Sequence, residues 1–381
     1  MMDSETLLHE LLSEVDVRIN GSRPWDIHVH DPALYTHIWR DGLLGVGESY
    51  VEGHWDCDHL DAMVSRVLSG RVDARIQPQT LLKIGSRVVS TRLRDWLNPQ
   101  RIARARKDVA SHYDLGNDLY EAMLDSRMTY TCGYWRNARD LEEAQEHKLD
   151  LICRKLDLRP GMRVLDIGCG WASLMNYAAE HYGVRCDGLT LSREQAQLGQ
   201  QRADAKGLPV RFILQDYREF QAEQCYDRVV SVGMFEHVGP GNYRTFFECV
   251  DRQLAKHGLF LLHTIGGAES TDRTNPWINK YIFPNGVIPS MAQIGQGIDG
   301  LFNLDDLHNF GPDYDKTLVA WYRNFDDHWP ELAERYGERF YRMWRYYLLT
   351  CAGAFRCRSL NLWQIALTKV GAPLPVSVRE A

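Results

Sequence analysis

Five short stretches of this chain place ligand-holding or proton-moving residue types directly after apolar runs. In Val164-Leu165-Asp166-Ile167-Gly168-Cys169-Gly170-Trp171 the run stops at two glycines. Such a tight turn lets backbone approach a ligand before a helix begins. It is not the phosphate-binding GxGxxG, because Ser173 stands where the third glycine would be. Thr190-Leu-Ser192-Arg-Glu-Gln195 follows a second run, and Ser192 with Gln195 reads equally as a helix-capping pair and as ligand contacts. Gln215-Asp216-Tyr217 follows a third, where a carboxylate could accept from a ligand amino group. Glu236 follows a fourth, behind Met234 and Phe235. Those neighbours predict a partly dry carboxyl with a raised pKa, suited to proton transfer. His263 closes a fifth run, Leu259-Phe-Leu-Leu-His263. Taken alone, a histidine there is more often a satisfied core residue than a catalytic one.

The elements that must position these residues are legible in the same runs. Residues 163–167, 184–189, 210–214, 227–232 and 259–263 read as five strands with helical spacers between them. That alternation predicts an α/β fold with a parallel sheet covered on both faces, binding ligands at the carboxyl ends of its strands. Residues 1–90 show helical periodicity at Leu7, Leu8, Leu11 and Leu12, then a glycine-punctuated Leu43-Leu44-Gly45-Val46-Gly47. They predict a smaller, mostly helical N-terminal domain. Residues 91–107 are expected to be a basic linker, with the catalytic domain over 108–381.

Composition narrows the partners. At 381 residues, with 44% hydrophobic and 11% aromatic residues, the chain is globular material long enough for two domains. A net charge of −7 argues against nucleic acid. The charge is uneven: residues 83–107 carry Lys83, Arg87, Arg92, Arg94, Arg101, Arg104, Arg106 and Lys107 against Asp95 alone. No run suits a membrane-spanning helix, and the acidic, amphipathic N-terminus lacks signal-peptide character. Nine cysteines without a CxxC pair predict reduced thiols in a cytoplasmic protein, and no metal site is expected.

A strand followed by Asp-x-Gly-x-Gly without a phosphate cradle resembles the S-adenosylmethionine-dependent methyltransferases. Further words narrow the likeness: His112-Tyr113-Asp114-Leu115-Gly116-Asn117-Asp118, Tyr130-Thr131-Cys132-Gly133-Tyr134-Trp135, VLDIGCGW, LTLSREQ, VGMFEHVG, LLHTIG (261–266), WINKYIFPNG (277–286), DYDKTL (313–318) and CAGAFR (351–356). Over nearly its whole length the chain resembles the bacterial cyclopropane-fatty-acyl-phospholipid synthases. The resemblance implies a class I methyltransferase Rossmann-like sheet with helices on both faces, joined to an N-terminal lipid-engaging domain that includes Gly42–Tyr50.

It also implies a reaction. A cis double bond of a phospholipid acyl chain takes a methyl group from S-adenosylmethionine, and the resulting carbocation loses a proton and closes to a cyclopropane. The implied base is bicarbonate, held by Cys132, Glu236, His263, Tyr314 and the backbone at Ile265. The implied cofactor contacts are Tyr130, Thr131, Gly168, Cys169, Gly170, Thr190, Ser192, Gln195, Gln215, Asp216 and Tyr217, with Asp216 placed to meet the adenine amino group. Trp277, Tyr281, Phe283, Tyr314 and Trp321 are candidate aromatic lining, since ring faces attract a passing cation. Cys351 has been viewed as catalytic in this family, but its apolar surroundings favour a packed thiol. The implied partners are unsaturated membrane phospholipids, contacted peripherally at the inner face of the membrane, and a second copy of the chain. The alternatives are an alkene C-methyltransferase without ring closure and a lipid-binding homologue without catalysis.

Overall fold

The computed structural model describes residues 4–72 and 116–375. The basic run 83–107, the expected linker 91–107 and residues 112–115 of the first motif lie outside them. The chain divides into two compact units. Unit 1 takes Met1–Pro99, Thr274–Pro284 and Leu318–Leu360; unit 2 takes Gln100–Arg273, Asn285–Thr317 and Asn361–Ala381.

In unit 1 the apolar spacing of the N-terminus produces the helix Ser4–Ser13, which buries Leu8 and Leu12. They join Leu34, Ile38, Tyr50, Trp55, Leu60, Met63 and Leu349 in one core. A short strand β1 (His28–Val29) pairs antiparallel with β2 (Trp55–Asp56). The glycine-punctuated stretch forms the helix Leu43–Val51. A Cβ on Gly45 would lie 2.1 Å from the His37 carbonyl oxygen, and one on Gly47 would lie 2.4 Å from Trp277 Cδ1. Neighbouring elements therefore pack closer there than any side chain would permit. Glu48, one residue on, accepts hydrogen bonds from the Tyr281 hydroxyl (2.8 Å) and from Lys280.

The helix Glu338–Arg356 joins the same unit through two arginines. Arg342 donates to the carbonyls of Tyr50 (2.8 Å) and Trp55 (3.0 Å) and to Asp56 (2.8 Å), with its guanidinium 4.4 Å from the Tyr50 ring centre. Arg345 donates to the carbonyls of Cys57 (3.1 Å) and Asp58 (2.9 Å). These contacts explain why Thr274–Pro284 and Leu318–Leu360, assigned from sequence to the segment 108–381, cluster with the N-terminal helices instead.

Unit 2 is a seven-stranded sheet in the order β5-β4-β3-β6-β7-β9-β8. The five expected strands appear as β3 (Arg163–Ile167), β4 (Arg185–Thr190), β5 (Val210–Leu214), β6 (Tyr226–Val232) and β7 (Leu254–Gly267), all paired parallel. Two more strands, β8 (Phe302–Asn309) and β9 (Leu360–Lys369), pair antiparallel with each other, so the sheet is mixed. The period-2 pattern sorts side chains between two cores. Val164, Val230, Leu259 and Leu261 pack with Leu149 and Ile152 of the helix Leu141–Lys155. Leu165, Val229, Phe260 and Leu262 pack with Phe246, Phe247 and Val250 of the helix Tyr243–Gln253. The strand order reverses between β3 and β6, and α/β sheets bind ligands at the carboxyl ends flanking such a reversal.

Gly47 yields the first prediction. Gly47→Ala should lower the urea midpoint of unfolding, at a cost of about 1–3 kcal/mol for overpacking. In a Trp277→Ala background the same Gly47→Ala change should cost less, because Trp277 Cγ, Cδ1 and Nε1, the atoms nearest the added methyl, are gone.

Candidate active site

Two glycines bring the chemistry-bearing segments together at that reversal. Gly233, just past β6, has φ +69°, a left-handed conformation that side chains resist. Its N–H donates to the carbonyl of His263 (2.9 Å), and a Cβ there would lie 2.6 Å from Thr131 Cγ2. Gly168, just past β3, has φ +87°, and a Cβ there would lie 2.5 Å from Met234 Cγ. The glycine turn, the 130–132 segment, the loop before Glu236 and the end of β7 thus converge.

Glu236 lies in a single 3-10 turn, Phe235–His237. Its Oε1 accepts from the Ile265 N–H at 2.6 Å, while Oε2 is buried with no hydrogen-bond partner among the described residues. Burial pushes this carboxyl up, outweighing the backbone donor. His263 is 1% exposed, and its Nδ1 sits 3.3 Å from Gln364 Nε2, while the ring's own Nε2 has no hydrogen-bond partner among the described residues. Burial, reinforced by Lys148 and Lys155, holds its pKa well below the usual imidazole range, so the ring is neutral at pH 7.

Cys132 is fully buried, and its thiol donates to the Gly133 carbonyl (3.1 Å). Burial pushes that thiol well up, keeping it protonated. The same segment is tied to the start of the helix Pro312–Asp327. The Gly133 N–H donates to Thr317 (3.0 Å) and the Trp135 N–H to Asp313 (2.8 Å). Buried Tyr314 stands between Asp313 and Thr317 in that helix.

The expected cofactor residues divide into two groups. The N–H groups of Gly168 and Cys169 both donate to the Leu189 carbonyl (2.9 and 3.1 Å), which joins the turn to β4. Space beyond Gly170 is open, with no atom within 4 Å of a Cβ placed there. Tyr130 meets Tyr120 edge to face, and the Thr131 hydroxyl accepts from Lys148 Nζ (2.9 Å). These residues fit a ligand seated on backbone at the β3/β6 reversal. At the end of β4 the capping alternative is satisfied: Ser192 Oγ accepts from the Gln195 N–H (3.2 Å), opening the helix Arg193–Ala205. Thr190 Oγ1 donates in turn to Gln195 Oε1 (3.3 Å). Asp216 has a partner that the sequence did not announce. Both its oxygens are held by Arg218, through Nε (2.8 Å) and Nη2 (2.7 Å). Gln215 donates to the Glu219 carbonyl (3.1 Å), and half-buried Tyr217 packs edge-on against Phe246.

Three residues of this region were passed over in the sequence. Lys148 and Asp166 are both buried under the glycine turn, and desolvation outweighs their mutual attraction, lowering the ammonium and raising the carboxyl. A signal for Lys148 existed: Leu141, Ala144, Lys148, Ile152 and Lys155 repeat at helical spacing, which puts two lysines on a buried face. The third, Gln364, interrupts the apolar pattern of β9, a strand the sequence did not disclose.

The comparisons with known proteins agree with this geometry. A family profile described as mycolic acid cyclopropane synthetase matches residues 100–365. The chain belongs to this cyclopropane synthetase family. It is 50% identical over 363 residues, covering 95% of this chain and 93% of the relative, to a cyclopropane-fatty-acyl-phospholipid synthase of Escherichia coli strain K12. A tuberculostearic acid methyltransferase of Mycobacterium tuberculosis is 35% identical, covering 91% of this chain and 84% of that one. Among solved structures, the mycolic acid cyclopropane synthase CmaA1 complexed with SAH and CTAB superposes with a TM-score of 0.64 at 34% identity, covering 69% of this chain and 97% of that one. The family members are S-adenosylmethionine-dependent enzymes.

Within this cyclopropane synthetase, Cys351 belongs to unit 1, on the helix Glu338–Arg356. The residue is partly exposed, but its thiol sits where burial pushes the pKa up to about 12. At neutral pH it is not the thiolate that nucleophilic catalysis requires. Cys351→Ser should therefore keep most of the activity; a loss beyond about a hundredfold in folded protein would instead place the thiol in the chemistry.

Proposed function

We propose that the chain forms cyclopropane rings on unsaturated phospholipid acyl chains, with bicarbonate as the base. The observation that carries this reading is the pair of orphaned, buried polar atoms, Glu236 Oε2 and His263 Nε2. Native proteins seldom leave such atoms unpaired. An oxyanion that also bears an O–H matches both at once: it donates to the carboxylate and accepts from the neutral imidazole. A simple anion would only repel Glu236.

When bound, S-adenosylmethionine supplies an electrophilic methyl group to the alkene. The chain's own residues do the remainder. Glu236 is aimed by the Ile265 N–H, so this amide supports the anion through the carboxylate rather than by its own bond. His263 donates from Nε2, and Cys132 stays a neutral thiol beside them. Tyr314 and the wholly buried Phe235 keep the neighbourhood dry, which prevents water from capturing the carbocation. Cofactor contact by Thr190, Ser192, Gln195, Gln215, Asp216 and Tyr217 belongs to this proposal, as do peripheral membrane contact and a homodimer. No helix of the described residues is long and apolar enough to cross a membrane.

Expression in cells that lack cyclopropane lipids, followed by gas chromatography of the acyl chains, tests the function. Ring-containing chains are expected. Branched chains would show methyl transfer without closure, and an unchanged profile would show a lipid-binding protein without catalysis. Glu236→Gln and His263→Ala should nearly abolish the ring product while calorimetry still detects S-adenosylmethionine binding; loss of that binding in both would remove them from the base site.

Membrane contact has its own test, in residues outside the described structure. Each exposed basic residue near an anionic bilayer contributes about 1 kcal/mol. Sedimentation with anionic liposomes should weaken as salt rises and fall further when Arg101, Arg104 and Arg106 are neutralised. Binding indifferent to salt would assign docking to apolar insertion.

A further inference from the structure

We infer that Gln364 is a positioning residue that fixes His263 in the tautomer protonated at Nε2, the nitrogen turned to the reacting site. This rests on the reading of His263 as a donor to the bound anion, and deepens it by naming what sets the proton.

Gln364 is wholly buried in β9, within the apolar run Leu362–Leu367, where every other side chain is hydrophobic. Its amide nitrogen lies 3.3 Å from His263 Nδ1, while its Oε1 has no hydrogen-bond partner among the described residues. A glutamine kept in such a place, with one polar atom unsatisfied, does not serve stability; leucine or methionine would pack there without loss. What it does supply is a donor. A neutral imidazole has one N–H and one bare nitrogen, and the hydrogen bond at one decides the state of the other. With the Gln364 amide donating to Nδ1, the ring proton must reside on Nε2.

The amide could also turn over. Its oxygen would then accept from Nδ1–H, and the ring would present a bare nitrogen to an anion, which is repulsive. The two amide orientations therefore correspond to a competent and an incompetent imidazole. The strand order supports the assignment, since β9 lies next to β7. His263 aligns with Leu259 and Leu261 on one face of β7, and Gln364 aligns with Ala366 on the same face of β9. The charged groups that act on the ring are Lys148 and Lys155, and both disfavour imidazolium. The choice is therefore between two neutral tautomers.

Nuclear magnetic resonance of the ring nitrogens in protein carrying 15N-histidine reads the tautomer directly. His263→Asn identifies its signals among the 14 histidines. The wild-type ring should show Nε2–H. Gln364→Glu replaces the donor by an acceptor of the same shape, and should move the proton to Nδ1. Ring formation should then fall by up to about ten-thousandfold, the loss that a wrong histidine tautomer causes in a serine-protease triad, with KM for lipid unchanged. Gln364→Met, which neither donates nor accepts, should give a mixture of tautomers and an intermediate rate. A wild-type ring protonated at Nδ1 would overturn the inference, as would unchanged ring signals and rate in Gln364→Glu. Failure of the bicarbonate reading looks different: activity would persist in carbonate-free buffer while the Nε2–H pattern stayed intact.

Discussion

Two hydrogen bonds at the ends of β6 and β7 govern the reacting centre. The Gly233 N–H donates to His263 O, and the Ile265 N–H donates to Glu236 Oε1. Both use backbone of one parallel pair, so the carboxylate and the imidazole inherit their separation from sheet geometry rather than from flexible side chains. The first bond requires a left-handed residue at 233, and the closeness of Thr131 excludes any side chain there. The second spends one carboxylate oxygen and leaves the other aimed inward. Register does the positioning: Val232 pairs with His263, so any slip of one residue would turn the histidine to the opposite core.

Beneath this junction lies a layer of buried charge that a purely structural core would not retain. Lys148 donates to Thr131, and Asp125 holds the Thr129 amide (2.8 Å), so the 129–132 segment is anchored by ionisable groups on both sides. Asp166 Oδ1 has no partner among the described residues. Burying an ammonium and carboxylates costs several kcal/mol per ion before their attraction is counted, and apolar replacements often stabilise. The layer makes sense where anions and cations must be accommodated above it. Lys148 helps to hold His263 neutral and would add positive potential under the proposed anion, while Asp166 lies near the end of the strand that leads into the glycine turn. The same burial therefore supplies field and dryness together.

The sheet was legible in the sequence because its five parallel strands each carry a short, mainly apolar stretch, separated from the next by a helical spacer. β8 was not, since Phe302–Asn309 carries Asp305 and Asp306 and buries only Phe302, at the edge of the sheet. β9 was missed for a different reason: it follows the helix Glu338–Arg356 directly and forms part of no recognisable turn-to-turn pattern. Glu236 declared itself through its dry neighbours. His263 did not, because a buried histidine at a strand end has the same local sequence whether it is satisfied or reactive. Its nearest polar partner is Gln364, about a hundred positions away along the chain. Asp216 shows the opposite limit: a short Asp-Tyr-Arg word suggested a free carboxylate, and the arginine two residues on folds back over it.

The segment Gly42–Tyr50 shows what packing demands of a highly specific word. Resemblance associates it with lipid engagement, yet each of its distinctive residues is used inside unit 1. Gly45 admits the His37 carbonyl, Gly47 admits the Trp277 ring, Glu48 accepts from Lys280 and Tyr281, and Tyr50 is stacked under Arg342. These contacts give each of the segment's distinctive residues a packing or hydrogen-bonding role within unit 1, so substitutions there would report first on the integrity of that unit.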